Sequence, residues 1–348
     1  MHSNCLIVFS IFLLFDVARC SYQTITECPE MCVCENTICK RRGKSRRLEC
    51  SGVAVSCYGK GLDQIPPGIP ANVTGLSFSN NNFRVIDLDY FSNFTRLTDL
   101  IVNENNATEL RIGRDIRSLK RLTLKGNQLT ALPPKGLTKI KNLLTLDLEN
   151  NQIQDIRGVR FPRKLDLLNL NHNQLRALPA GIFRKSKLLR VLKLNNNRID
   201  TIHNRAFKYL IGLESLEMEG NLLRTLHKDA FTGLPKAWYL NLKNNRISDI
   251  HPMSFRLFGF KNEFHHQIHL ENNKLRFFDR DLLGIFITRE NHYSFHFAGN
   301  PIFCDCNLIN VRDEVKHLIG DTPKMVCDSP EENRGTNVNV LEIETCCF

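Results

Sequence analysis

Cysteine is missing from the whole middle of this chain: none of its 13 cysteines lies between Cys57 and Cys304. That gap excludes a disulfide framework spread through the fold and confines cross-links to the two ends. Tryptophan is nearly absent as well, Trp238 being the single copy. Beyond the amino-terminal segment no apolar run approaches the roughly 20 residues that a membrane-spanning helix needs, and the carboxy end lacks an apolar tail. Neither a membrane span nor a glycolipid anchor is therefore expected. The sequence also has no His-Glu-x-x-His, no Gly-x-Ser-x-Gly and no phosphate-binding glycine loop. No enzymatic activity, catalytic residue, metal or cofactor is assigned.

What is present is a rhythm. In "LLRVLKLNNNRI" (188–199), Leu189, Leu192, Leu194 and Ile199 stand at offsets 1, 4, 6 and 11 of a frame with Asn197 at offset 9. The frame recurs with its asparagine at Asn81, Asn105, Asn127, Asn151, Asn173, Asn197, Asn221, Asn245, Asn273 and Asn300. Successive spacings are 24, 22, 24, 22, 24, 24, 24, 28 and 27 residues, a period at which one supersecondary unit repeats and stacks. The spacing is that of leucine-rich repeats. Offsets 4 and 6 fall on one face of an extended strand and offsets 3, 5 and 7 on the other. The asparagine sits where the chain leaves the strand, and its amide can donate to and accept from backbone groups of adjoining coils. The residues left in each repeat suit extended or 3₁₀ return segments. The expected fold is an α/β solenoid: a leucine-rich-repeat horseshoe with a concave parallel β-sheet, mostly extended or 3₁₀ convex segments, and disulfide caps.

The amino terminus "CLIVFSIFLLFDVARC" has an apolar core over residues 5–15, then Ala18 and Cys20 at minus three and minus one of a cleavage point. It reads as a secretory signal peptide over 1–20, so the mature chain is expected in the extracellular space or matrix. The expected organisation continues with an amino-terminal cysteine-rich cap (28–72) carrying a basic insertion (39–50), ten repeats (73–302) and a carboxy-terminal cap (300–348). A zinc reading of "CPEMCVC" and "CDC" is disfavoured by the oxidising compartment.

"CPEMCVC" (28–34), followed by "VSCYGKGLDQIPPGIPANVTGLSFSNNNF" (55–83), resembles the amino-terminal cap of extracellular leucine-rich-repeat proteins. "NPIFCDCNL" (300–308) with Cys327 and Cys346 resembles their carboxy-terminal cap, in a form more like that of Slit proteins, chondroadherin and the variable lymphocyte receptors than of decorin-type proteoglycans. The resemblance implies disulfides Cys28–Cys34, Cys32–Cys57, Cys304–Cys327 and Cys306–Cys346. Cys39 and Cys50 are additions to the family pattern and are assigned to each other. The cysteine doublet at 346–347 and Ile302, where an aromatic is usual, depart from it too. Cleavage after Cys20 leaves eleven cysteines, so one is odd; a disulfide-linked dimer through Cys347 is open. Adhesion, collagen or receptor binding, and guidance are the roles implied.

Three groups of residues carry the functional reading. The insertion "CKRRGKSRRLEC" holds Lys40, Arg41, Arg42, Lys44, Arg46 and Arg47 against Glu49, supplying plus five of the chain's net +11. Outside the cell such density suits a glycosaminoglycan rather than nucleic acid; a plain solvated loop and a dibasic processing site at "KSRR" are the competing readings. On the hollow of the arc the free offsets bring Arg121, Lys125, Asp147, Glu149, Lys193, Glu217, Glu219, Trp238 and Tyr239. An exposed Trp238 beside Tyr239 is the expected contact for an extracellular protein ligand or receptor, unless Trp238 lies against a neighbouring coil. His269 and His296 share offset 5 near Glu271, a geometry that could hold a metal or respond to acidification; surface histidines are the default, and no metal is assigned. Glycosylation acceptors are Asn72, Asn93 and Asn106, none at a sheet-facing offset. A soluble immune recognition protein, or a trap for an enzyme or toxin, is the alternative class.

Overall fold

A computed structural model describes residues 28–36, 39–41, 48–50, 52–255, 258–259, 265–277, 293–305, 308 and 326–338. The signal peptide, Arg42, Lys44, Arg46, Arg47, the Cys306–Cys346 pair and Cys347 lie outside the described residues.

The repeat strands are short because only offsets 3 to 5 are extended before the chain turns. Ten of them stack in sequence order: Val73–Ser77, Asp99–Ile101, Arg121–Thr123, Thr145–Asp147, Leu167–Asn169, Val191–Lys193, Ser215–Glu217, Tyr239–Asn241, His266–His269 and Tyr293–His296. Every neighbouring pair is parallel and in register, so each offset forms a column across the sheet. Two further strands complete a twelve-stranded sheet at the amino end: Val53–Ser56, parallel to Val73–Ser77, and Val33–Asn36, antiparallel to Val53–Ser56. The longer repeats that end at Asn273 and Asn300 keep the register, because their extra residues fall between strands.

Offset 4 is the deepest column. Leu76, Leu100, Leu122, Leu146, Leu168, Leu192, Leu216, Leu240 and Ile268 are fully buried, each worth about 1.5–3 kcal/mol of burial. On the return side the core is aromatic, with Phe161 stacked on Phe183 and Phe207 on Phe231 on Phe255 at centroid separations of 5.5–6.0 Å. The return path uses 3₁₀ turns, such as Leu88–Asn93 and Gly136–Lys139, and short parallel pairs such as Ala177–Leu178 with Thr201–Ile202. Among the described residues these 3₁₀ turns, and no full α-helix, form the convex layer.

The ten asparagines stand in one buried column. Asn197 is typical: its Nδ2 donates to Leu170 O of the preceding coil (2.9 Å) and to Leu194 O of its own (3.1 Å), while Oδ1 accepts from Leu175 N (3.0 Å). Asn221, Asn245, Asn273 and Asn300 repeat all three bonds one coil further on. At the amino end Asn81 reaches Cys57 O at 2.8 Å, tying the first coil to the cap.

The residue before each ladder asparagine is left-handed. Asn80, Glu104, Asn150, His172, Asn196, Asn244 and Asn272 have φ of 50–57°, and Gly126, Gly220 and Gly299 have φ of 67–73°. That region favours glycine and asparagine, and it swings the next side chain from the sheet surface into the core. At Gly299 a Cβ would also displace the Asn272 side-chain amide, but the positive φ is the main reason for glycine there.

Among the described residues three disulfides close the ends. Cys28–Cys34 and Cys32–Cys57 cross-link the reversed amino strand, and Cys304–Cys327 joins the last coil to the strand Cys327–Ser329. Strands Cys39–Arg41 and Leu48–Cys50 pair antiparallel with Cys39 opposite Cys50; their side chains lie outside the described residues.

Replacing Asn197 by alanine strands the buried Leu175 N–H, at a cost of about 1–3 kcal/mol, and removes one of the two asparagine amides that Leu170 O and Leu194 O each accept from, leaving those of Asn173 and Asn221. Urea unfolding of Asn197→Ala should show a loss of about 3 kcal/mol, with hydrogen exchange of the Leu175 amide accelerated before that of distant coils; equal stability would contradict the ladder's role.

Candidate functional site

Because the register is strict, the outward offsets make three ordered columns on the hollow of the sheet. Offset 3 presents Asp99, Arg121, Thr145, Leu167, Val191, Ser215, Tyr239 and Gln267; offset 5 presents Asp147, Asn169, Lys193, Glu217, Asn241, His269 and His296. Offset 7, two residues past the hydrogen-bonded strand, carries Asn103, Lys125, Glu149, Asn171, Asn195, Glu219, Lys243 and Glu271.

The charged residues singled out from sequence are brought together, and they engage one another or polar neighbours in the same columns. Arg121 pairs with Asp99 (2.8 Å), Lys125 with Glu149 (3.3 Å), Lys193 with Glu217 (3.4 Å) and Lys243 with Glu271 (3.0 Å), each across adjacent coils. Asparagines fill the remaining acceptor positions. Asn169 donates to Glu149, Asn195 to Glu217, and both Asn241 and Asn244 to Glu219. Half-exposed pairs of this kind add little stability; what they fix is side-chain direction. Sequence reading missed Lys243 and these asparagines, although their offsets are the same as those of the residues it named.

Asp147 is different. Burial, and then the nearby charge of Glu149, push its carboxyl above the usual carboxylate range, against the Glu149 amide that donates to its Oδ1 at 3.0 Å. The paired acids Asp147 with Glu149 and Glu217 with Glu219 stand part-exposed on the sheet face.

Towards the carboxy end the face turns aromatic. Trp238, at offset 2, is half-buried with its ring 5.9 Å from that of Tyr239, which lies 5.4 Å from the His269 imidazole. His269 in turn stacks on His296 with centroids 4.3 Å apart and planes within 10°. Four rings thus form one continuous ledge over three coils. Burial, followed by the charge of Glu217, raises the Tyr239 phenol. Burial, followed by repulsion from His269, lowers the His296 imidazole, which favours its neutral form. Burial acts to raise Glu271, but hydrogen bonds from His269 Nδ1 (3.1 Å), its own backbone and Lys243 hold it below the usual range.

The acceptors Asn72, Asn93 and Asn106 are exposed and lie off the sheet face: Asn72 just before the first repeat strand, Asn93 at the end of a 3₁₀ turn, and Asn106 just after a ladder asparagine.

Comparison with known proteins places this face in context. The family model described as "Leucine rich repeat" matches residues 117–175, 163–223 and 212–258. Keratocan of Coturnix japonica is 38% identical over 76 residues, 21% of this chain and 22% of keratocan. Human podocan-like protein 1 is 33% identical over 91 residues (24% of this chain, 18% of that protein). The platelet glycoprotein Ib alpha chain of Canis lupus familiaris is 30% identical over 86 residues (25% and 13%). The matched stretch thus spans less than a quarter of each of these relatives. Among solved structures, a chain of the octameric complex of Latrophilin 3, Unc5D and FLRT2 (LRR) superposes with TM-score 0.61 at 24% identity, covering 91% of this chain and 98% of that one. A chain of the Drosophila Toll–Spatzle complex gives 0.58 at 22% identity, covering 83% and 48%. At these identities the likeness is one of fold. No helix among the described residues is long and apolar enough to cross a membrane.

An acid whose native pKa is raised binds its proton where the unfolded chain has released it, so stability falls as pH rises from the ordinary aspartate value of 3.8 through the native value. At neutral pH ionised Asp147 is destabilising. Asn at this position keeps the acceptor for the Glu149 amide, so Asp147→Asn should melt above wild type at neutral pH, with the gain closing below pH 3.8; thermal melts followed by circular dichroism at both pH values check the sign.

Proposed function

Because the chain is a leucine-rich-repeat protein with disulfide-bonded ends, we propose that it is a secreted matrix, adhesion or signalling protein that holds an extracellular protein ligand or receptor in the hollow of its sheet. The observation carrying this reading is the ring ledge Trp238–Tyr239–His269–His296 beside a column of internally paired charges. A ligand meeting the paired region finds charges already satisfied; at the ledge it finds large apolar area held rigid by the sheet, where aromatic hot spots supply binding energy. Neighbours of the same fold, solved as the Toll–Spatzle and Latrophilin 3–Unc5D–FLRT2 complexes, are assembled with protein partners, which agrees with an interaction role. Arg121, Lys125, Asp147, Glu149, Lys193, Glu217 and Glu219 then set orientation, since a partner must match their fixed directions. Glycans at Asn72, Asn93 and Asn106 would leave the hollow clear. No catalytic role is proposed. A trap for a toxin or enzyme would use the same face, and the identity of captured partners separates the two classes.

Affinity capture from tissue extract with wild type and a Trp238→Ala/Tyr239→Ala variant tests the anchor. Hot-spot truncation costs about 2 kcal/mol or more, so the wild-type partner should be depleted more than tenfold from the variant; an unchanged set of partners would sink the reading.

A second contact rests on the basic insertion. Of its six cations Lys40 and Arg41 lie on the first of two strands, and Arg42, Lys44, Arg46 and Arg47 lie in sequence between them; the register sets Cys39 opposite Cys50, a pairing suited to a disulfide-closed loop. We assign to it glycosaminoglycan binding by summed charge and counterion release. On a heparin column the variant with all six cations changed to alanine should elute at clearly lower salt than wild type, and co-elution would remove this contact.

A further inference from the structure

The ledge ends in His269 and His296 beside Glu271, and its role as an aromatic anchor assigns no task to their ligating atoms. We propose that His269, His296 and Glu271 form a binding site for a divalent transition-metal ion of the zinc class on the concave face. One ligating atom from each of the three residues lies within 4.8 Å of the others. The sheet delivers them: His269 and His296 are directly opposed on adjacent parallel strands, and Glu271 follows His269 by two residues on the same face. Two imidazoles and one carboxylate make the three-ligand set that leaves a fourth tetrahedral position open for water or for an incoming group. Imidazole also selects against calcium and magnesium, which take oxygen ligands.

A second observation points to an unfilled coordination site. Glu271 Oε1 is occupied by Lys243 Nζ at 3.0 Å and His269 Nδ1 at 3.1 Å, whereas Glu271 Oε2 is buried without a hydrogen-bond partner. A buried acceptor left unpaired is rare and calls for a cause. An ion on Oε2 would satisfy it while Lys243 kept its bond to Oε1. His296 contributes through an edge that now carries only a long contact, Nε2 to Ser294 Oγ at 3.3 Å. The two rings are stacked with nearly parallel planes, so binding requires them to splay until each plane contains the ion, giving up one stacking contact. Lys243 and the ring of Tyr239 flank the cluster. The cation beside the site weakens affinity, so the expected range is micromolar rather than that of a structural zinc site.

The test uses the full secreted protein, with any free thiol alkylated, titrated calorimetrically with zinc chloride alone and with calcium chloride as the hard-ion control. The expected result is one equivalent of zinc, weakened at least tenfold in His269→Asn/His296→Asn and in Glu271→Gln, with no competition by calcium. An unchanged isotherm in the double histidine variant, or no zinc uptake by wild type, overturns the proposal. Diethyl pyrocarbonate labelling of wild type, mapped by peptide mass spectrometry, needs no variant to fold: zinc should protect both His269 and His296, and equal labelling with and without zinc overturns the site. Neither readout involves the protein ligand, so the metal site stands or falls apart from the proposed binding function.

Discussion

One side-chain amide per coil, turned inward, is what the architecture depends on. A strand three residues long that ends in a sharp turn leaves backbone carbonyls and an N–H facing the interior, where no water reaches them. The ladder asparagine meets two of these carbonyls and one N–H at once, one carbonyl being its own coil's and the other two groups its neighbour's. Neither serine nor glutamine reproduces the combination: the hydroxyl is too short to span two coils, and the extra methylene misplaces the amide. The same bond that completes one coil therefore fixes the distance and register of the next.

Register is what converts a repeat into a surface. With offsets aligned in columns, side chains three to five Å apart laterally come from residues more than twenty apart in sequence, and complementary charges meet, as Lys193 does Glu217 and Lys243 does Glu271. The interior is free of this constraint because its columns are filled by leucine and phenylalanine whatever the outside carries. Core and face are thus specified by different residues of the same strand, which allows the face to differ from coil to coil without loss of packing. In this chain that freedom yields a self-neutralised middle and a ring-lined end.

The asparagine column, the alternation of inner and outer offsets and the concave sheet were legible from periodicity alone, since each depends only on position within a coil. The side-by-side placement of His269 and His296 was legible for the same reason, even across a lengthened repeat, because the additional residues sit between strands. Lateral facts were harder. That Arg121 faces Asp99, or that Lys243 rather than a free cation neighbours Glu271, follows from comparing coils two at a time, a step that a coil-by-coil reading omits. The left-handed residue before each ladder asparagine was hidden because Glu104 and His172 occupy it as well as Asn and Gly, so composition gives no uniform signal. Trp238 sits at offset 2, where the strand is just beginning, and is half-buried between the two situations that sequence could distinguish, fully facing the hollow or packed on the next coil.

The reversed strand Val33–Asn36 has an implication for assembly. The sheet runs parallel from Val53 onward, so its growth direction is polar, yet its amino edge is finished by a strand of opposite sense that is pinned by Cys28–Cys34 and Cys32–Cys57 and carries no ladder asparagine. A second molecule presenting its own terminal coil to this edge would find neither the polarity nor the amide needed to extend the column. End-to-end growth that continues both the parallel register and the asparagine column, the standing hazard of any self-similar stack, is therefore not templated at the amino edge.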